Sequence, residues 1–142
     1  MDGHQFIREV FDKGAIAVVC EEEPEELPGP CIRVEDSLAA LRQIAAFYRE
    51  QMPIPIVGIT GSVGKTSTKE FVASVLAQKY KTHKTQGNFN NEIGLPLTIF
   101  RIREEHEAAV LEMGISDFGE MTRLTRIARP DTCVITNIGT CH

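Results

Sequence analysis

No stretch of this 142-residue chain approaches the ~18–20 apolar residues that a membrane-spanning helix needs. The N-terminus also lacks the basic, apolar and small-residue order of a secretory signal. Basic charge is in short supply: 15 Lys and Arg stand against 20 Asp and Glu, a net charge of −5. The basic residues are scattered, so the electrostatic footprint of a nucleic-acid-binding protein is missing. The block EEEPEE at 21–26 reads as a solvated loop. None of Cys20, Cys31, Cys133 and Cys141 forms a C-x-x-C pair, and their spacing fits no zinc framework. Cys20 ends AIAVVC and Cys133 sits in TCVITNIG, which predicts buried thiols in a reducing cytoplasmic setting. Internal repeats and low-complexity tracts are absent as well.

What remains is a soluble globular composition, 42% hydrophobic and 25% charged, with room for one domain or pieces of two. Residues 6–13 read as a short helix, 15–20 and 31–34 as short strands, and 21–30 as a proline-punctuated loop. The stretch 35–51 carries Leu38, Leu41, Ile44, Ala45 and Tyr48 at helical spacing, with Asp36 or Ser37 as its cap. MPIP at 52–55 breaks that pattern and is a candidate boundary. Beyond it, IPIVGIT (54–60), EAAVLEMG (107–114) and TCVITNIG (132–139) read as strands. Residues 65–80, with Phe71, Val72, Val75 and Leu76, and 121–129, with Met121, Leu124 and Ile127, read as helices. The stretch 83–94 between them reads as a polar loop. This alternation predicts an α/β fold with a mainly parallel sheet and flanking helices.

The chemistry concentrates at GITGSVGKTS, residues 58–67. It lies between a predicted strand and a predicted helix, the setting of a phosphate-binding loop. The strict G-x-x-x-x-G-K-[ST] form is not met, because Ile59 stands where the first glycine belongs. Gly61 and Gly64 allow close backbone approach to an anion, and the helix start supplies partial positive charge. Lys65 would reach the outer phosphates, and the Thr66 hydroxyl would be a magnesium ligand. The alternative is a glycine turn with a solvated lysine. Glu112 stands at the carboxyl end of a predicted strand, as a magnesium ligand or as a strand-end carboxylate facing water. Asn88, Asn90 and Asn91 could contact a ligand or cap turns. His142 lies past the last strand, on the same expected edge. No N-K-x-D guanine-reading motif accompanies the loop, which weighs against a GTPase.

TGSVGKTS resembles the ATP loop of the Mur ligases, T-G-x-x-G-K-[ST], which does not require the early glycine. GNFNNEIGLPLT is similar to the corresponding loop of the MurF branch, and LEMG and TNIGTCH look like the family's two magnesium-associated motifs. DGHQFI and VEDSLAALRQIAAFYR resemble the end of the UDP-substrate domain of the MurE and MurF branches. The resemblance implies a P-loop-type central domain over 52–142, preceded over 1–51 by the end of a small α/β N-terminal domain. It implies an ATP- and Mg2+-dependent ligase joining D-alanyl-D-alanine to a UDP-N-acetylmuramoyl tripeptide through an acyl phosphate. Gly61, Ser62, Val63, Gly64, Lys65, Thr66 and Ser67 would bind ATP. Lys65, Glu112 and His142 would be catalytic; Thr66, Glu112 and His142 would lie at the metal, and Asn88 and Asn91 against substrate or nucleotide. The MurE branch, which adds an amino acid, is the sibling reading, although Val63 and Thr66-Ser67 are more like MurF. A monomer is expected. The chain stops inside the family's N-x-G-x-x-H-x-E run, so it reads as a fragment without ligase activity of its own, or as a nucleotide-binding piece.

Overall fold

The computed structural model describes residues 3–22 and 28–139, which form two compact units divided at Ala40/Leu41. In the first unit a 3₁₀ turn, Gly3–Phe6, leads into α1 (Ile7–Asp12). Strands β1 (Val18–Cys20) and β2 (Cys31–Arg33) pair in parallel, with Val18 opposite Cys31 and Cys20 opposite Arg33. Cys20 and Cys31 are joined by a disulfide, which corrects the expectation that Cys20 is a free thiol. Strand pairing brings together two cysteines that are 11 positions apart in sequence. Helix α2 (Ser37–Glu50) begins here; the Asp36 carboxylate accepts the Ala39 amide at 2.8 Å and so is its N-cap.

The division between the compact units falls within α2. The second half of the helix belongs to the second unit, where Ala45 is fully buried and Tyr48 packs beside it. Tyr48 donates its hydroxyl to the Ile102 carbonyl at 2.7 Å. Arg49 is buried with its guanidinium satisfied, donating to the Ala128 carbonyl at 3.0 Å and the Met52 carbonyl at 2.7 Å. Asp131, 3.4 Å from Arg49, accepts the Ile56 amide at 2.7 Å. The exposed Asp131 carboxylate thereby ties the start of the next strand to the buried Arg49.

That strand is β3 (Ile56–Thr60), followed by α3 (Lys65–Leu76), β4 (Thr82–Lys84), α4 (Gly94–Ile99), β5 (Ala108–Glu112), α5 (Glu120–Ala128) and β6 (Thr132–Ile135). The four strands form one parallel sheet in the order β4-β5-β3-β6, as the alternating pattern predicts. Side chains alternate across it. Ile56, Leu111 and Met113 join the cluster with Leu95, Ile99, Leu124 and Ile127, while Ile59 and Val110 meet Ala73 of α3. Strand β5 is buried at every position because both its faces are covered, Ala109 and Leu111 lying in one apolar cluster and Val110 in the other. All carboxyl ends lie on one sheet edge, which gathers the loop after β3, Glu112 and residues 136–139. Among the described residues no helix is long and apolar enough to cross a membrane.

Several elements depart from the sequence pattern. Cys133, expected to be buried, is exposed on β6, the outermost strand on its side of the sheet among the described residues. Helix α3 ends at Leu76 and not at residue 80; Gln78 and Lys79 donate three residues back, to Val75 and Leu76, in a tightened last turn. LPLTIF supplies α4, with Pro96 in its first turn, where proline is tolerated. Strand β4 overlaps the start of the stretch read as loop, at His83 and Lys84. Its three residues carry too little alternation to announce it, and pairing with β5 makes it a strand.

His83 of β4 is buried, and its Nε2 lies 3.0 Å from the Thr98 carbonyl oxygen. A carbonyl only accepts, so Nε2 carries the hydrogen. Burial, together with repulsion from His106, Arg101 and Arg103, outweighs that bond and holds the His83 pKa below its ordinary 6.5. The unfolded chain therefore takes up this proton first, and protonation favours unfolding. Stability from neutral His83 is full above pH 6.5 and is lost as pH falls through the depressed folded value. Urea midpoints between pH 5 and 8 are expected to fall on acidification in the wild type, and less steeply in His83→Gln. Parallel profiles would remove His83 as the cause.

Candidate functional site

The glycine loop leaves β3 at Thr60 and enters α3 at Lys65. Gly61 has φ +134°, and a Cβ there would stand 2.2 Å from the Thr136 hydroxyl oxygen, so a side chain is excluded twice over. Gly64, at φ +85°, is the left-handed residue that turns the chain into the helix. No side chain caps α3, which leaves the amides of its first turn and the positive end of its dipole for an anion. Lys65 folds back over the loop and donates from Nζ to the Gly61 carbonyl at 2.7 Å.

Parallel pairing sets Ile59 opposite Glu112, so the end of β5 lies beside the loop. Glu112 is 2% exposed. Its Oε1 accepts from the Thr66 hydroxyl at 3.3 Å and from the Asn90 carboxamide at 3.0 Å. Its backbone amide donates to Thr85 Oγ1 at 2.9 Å. Its Oε2 is buried without a hydrogen-bond partner, and Lys69 Nζ stands 3.8 Å away. Buried oxygen atoms are seldom left unpaired. Thr66 and Glu112 together offer the hard oxygen donors that Mg2+ takes, so these residues fit the expected ion. Among the described residues no group of three His, Cys, Asp or Glu side chains suits a metal.

The polar loop divides its work among neighbouring residues. Asn90 reaches Glu112, and its carbonyl accepts the Gly114 amide at 2.7 Å. Asn91 turns its side-chain oxygen to the Ile93 and Gly94 amides at 3.2 and 2.8 Å, capping the entry to α4. Asn88 accepts the Asn90 amide on its backbone carbonyl at 2.8 Å. Asn88 and Asn91 line a surface depression of about 320 Å3 with Phe89 and Ile93. Glu92 accepts from Arg42 at 2.8 Å and also from Arg123, holding the loop to α2 and α5. The structure thus brings Thr66 beside Glu112, next to Lys65, selects Asn90 from the three asparagines as the one that reaches Glu112, and adds Lys69, which the sequence did not single out. Val63 and Ser67 are exposed beside them. His142 lies outside the described residues. A larger cavity, about 600 Å3 beside Arg49 and Arg129, lies away from this chemistry, and its charged groups are already paired.

Residues 59–142 match the Mur ligase middle domain, and the chain belongs to the Mur ligase family. The chain is 47% identical to the UDP-N-acetylmuramoyl-tripeptide--D-alanyl-D-alanine ligase of Bacillus subtilis, over 99% of its own length and 31% of that protein. Against the Synechocystis enzyme of the same name it is 46% identical over 99% of its length and 32% of the relative. It superposes on a crystal structure of MurF from Acinetobacter baumannii with a TM-score of 0.92 at 37% identity, covering all of this chain and 31% of that one. MurF ligase from Thermotoga maritima, solved in complex with ADP, gives 0.90 at 39% identity, covering 100% of this chain and 33% of that one. The chain therefore spans about a third of the length of these relatives.

Proposed function

We propose that this chain is the nucleotide-binding segment of an ATP-dependent ligase that joins D-alanyl-D-alanine to a UDP-N-acetylmuramoyl tripeptide. The observation that carries the reading is the Thr66–Glu112 contact beside a glycine loop that opens an uncapped helix. The ADP complex of the Thermotoga relative supports the nucleotide, and the names of the similar ligases support the substrates.

The chemistry required is a transfer between like charges. An oxygen of the tripeptide's terminal carboxylate attacks the γ-phosphorus of ATP; the bond to the β,γ-bridging oxygen breaks, and ADP leaves. The D-alanyl-D-alanine amine then adds to the carbonyl carbon of the acyl phosphate. The tetrahedral adduct expels phosphate, the nitrogen loses a proton, and an amide remains. Lys65 and the amides of the first turn of α3 offset the negative charge of the phosphates. Thr66 and Glu112 would hold Mg2+, which when bound neutralises charge on the phosphate oxygens. Asn90 and the Thr85 hydroxyl orient Glu112 through its side chain and backbone. His142 joins these residues in the proposal on family resemblance alone.

This ligation is assigned to a protein of the relatives' full length that carries this segment; the 142 residues alone are expected to give no turnover. Phosphate release by the full-length protein should require D-alanyl-D-alanine and ATP. It should not respond to lysine or diaminopimelate, nor to GTP in place of ATP. Release driven by a single amino acid would transfer the reading to the MurE branch.

A further inference from the structure

Residues 136–139, which follow β6, run alongside the first half of the glycine loop. The Thr136 amide donates to the Thr60 carbonyl at 2.9 Å, extending the β3–β6 ladder. The Thr136 hydroxyl donates to the Val63 carbonyl at 2.6 Å. The Ser62 amide donates to the Asn137 carbonyl at 3.0 Å, and the Ser62 hydroxyl exchanges hydrogen bonds with the amide and carbonyl of Gly139, both at 3.0 Å.

These bonds decide which loop groups can face an anion. A trans peptide points its C=O and N–H in opposite directions. Holding the Val63 carbonyl on the Thr136 side therefore turns the Gly64 amide the other way. Holding the Ser62 amide on Asn137 likewise turns the Gly61 carbonyl away, and that carbonyl is found on Lys65 Nζ at 2.7 Å. The Gly61 side of the strap has no room for error, since a Cβ would meet the Thr136 hydroxyl at 2.2 Å and the Asn137 amide nitrogen at 2.9 Å.

We propose that Thr136 is a positioning residue for the nucleotide phosphates: its hydroxyl locks the Val63–Gly64 peptide so that the Gly64 amide serves the anion. Ser62 belongs to this strap, and its amide is not a phosphate donor. The inference rests on the nucleotide reading above. Its test is calorimetric titration of the full-length protein with Mg-ADP.

Thr136→Val should weaken Mg-ADP binding about tenfold (about 1.4 kcal/mol), and Thr136→Ser should restore wild-type affinity. Melting temperatures without nucleotide should differ little between these two variants, which separates positioning from general damage. Ser62→Ala should weaken binding in the same direction, and serves if Thr136→Val does not fold. Hydrogen exchange without nucleotide should show faster loss of the Ser62 amide proton in Thr136→Val than in wild type. Wild-type affinity in Thr136→Val, or a Thr136→Ser as weak as the valine variant, overturns the proposal. A wild-type protein that fails to bind Mg-ADP overturns the nucleotide reading, and this inference with it; that result is distinguishable because it appears before any substitution.

Discussion

Replacing Lys65 with alanine is expected to lower D-alanyl-D-alanine-dependent phosphate release by the full-length protein about 10²–10³-fold. Lys65 is half-buried, opens α3, and is held over the loop by the Gly61 carbonyl at 2.7 Å. That carbonyl is a neutral acceptor that a phosphate oxygen would outcompete, because bonds between charged partners are roughly twice as strong. The ammonium is thus stationed where phosphoryl charge would develop, and its removal should act on the transition state more than on folding. Its hydrogen bond is to a backbone carbonyl of its own loop, so the melting temperature should move little. Lys65→Arg keeps the charge but presents a planar fork in place of a compact ammonium, and should recover only part of the rate. Wild-type turnover in Lys65→Ala would remove the loop from the mechanism.

The sequence displayed the parts of this site that depend on local order. Strand, Gly61, Gly64, Lys65 and helix are contiguous, so the loop and its role could be read directly. Glu112 could be placed at a strand end, but its proximity to Thr66 follows from β5 pairing with β3, a contact across 46 positions. Asn90 was indistinguishable from Asn88 and Asn91 for the same reason. Only the fold shows that Asn91 caps α4 while Asn90 turns to Glu112. Phe71 and Val75 share helical spacing with Val72 and Leu76, yet only the latter pair packs on the sheet, the former being more than two-thirds exposed. Spacing identifies a face without naming its partner. Helix α2 hid its division between two units because its periodicity is unbroken through Ala40 and Leu41. Lys69 was invisible, since a lysine in an amphipathic helix is ordinarily solvated.

Lys69 is nevertheless 1% exposed, with its ammonium 3.8 Å from Glu112 Oε2 and 3.2 Å from Glu70 Oε1. Glu70 is about half exposed and also pairs with Lys84, so water and a second cation already serve it. Glu112 is the partner that depends on Lys69. Its side chain is 3% exposed, and without the ammonium its Oε2 would have neither a hydrogen bond nor a nearby positive charge. Lys69→Met keeps the length of the side chain and removes the charge, so it isolates this effect from cavity formation. Breaking a buried pair from one side costs about 3–5 kcal/mol. The expected result is a loss of that size in urea unfolding measured without divalent cation. Glu112→Gln introduced beside Lys69→Met removes the stranded charge, and the double variant should be more stable than the sum of the single losses by about 1–3 kcal/mol. Strict additivity would show that the two side chains are neighbours without being partners. Coupling would make Lys69 the reason a carboxylate can be kept buried at the end of β5, in reach of Thr66.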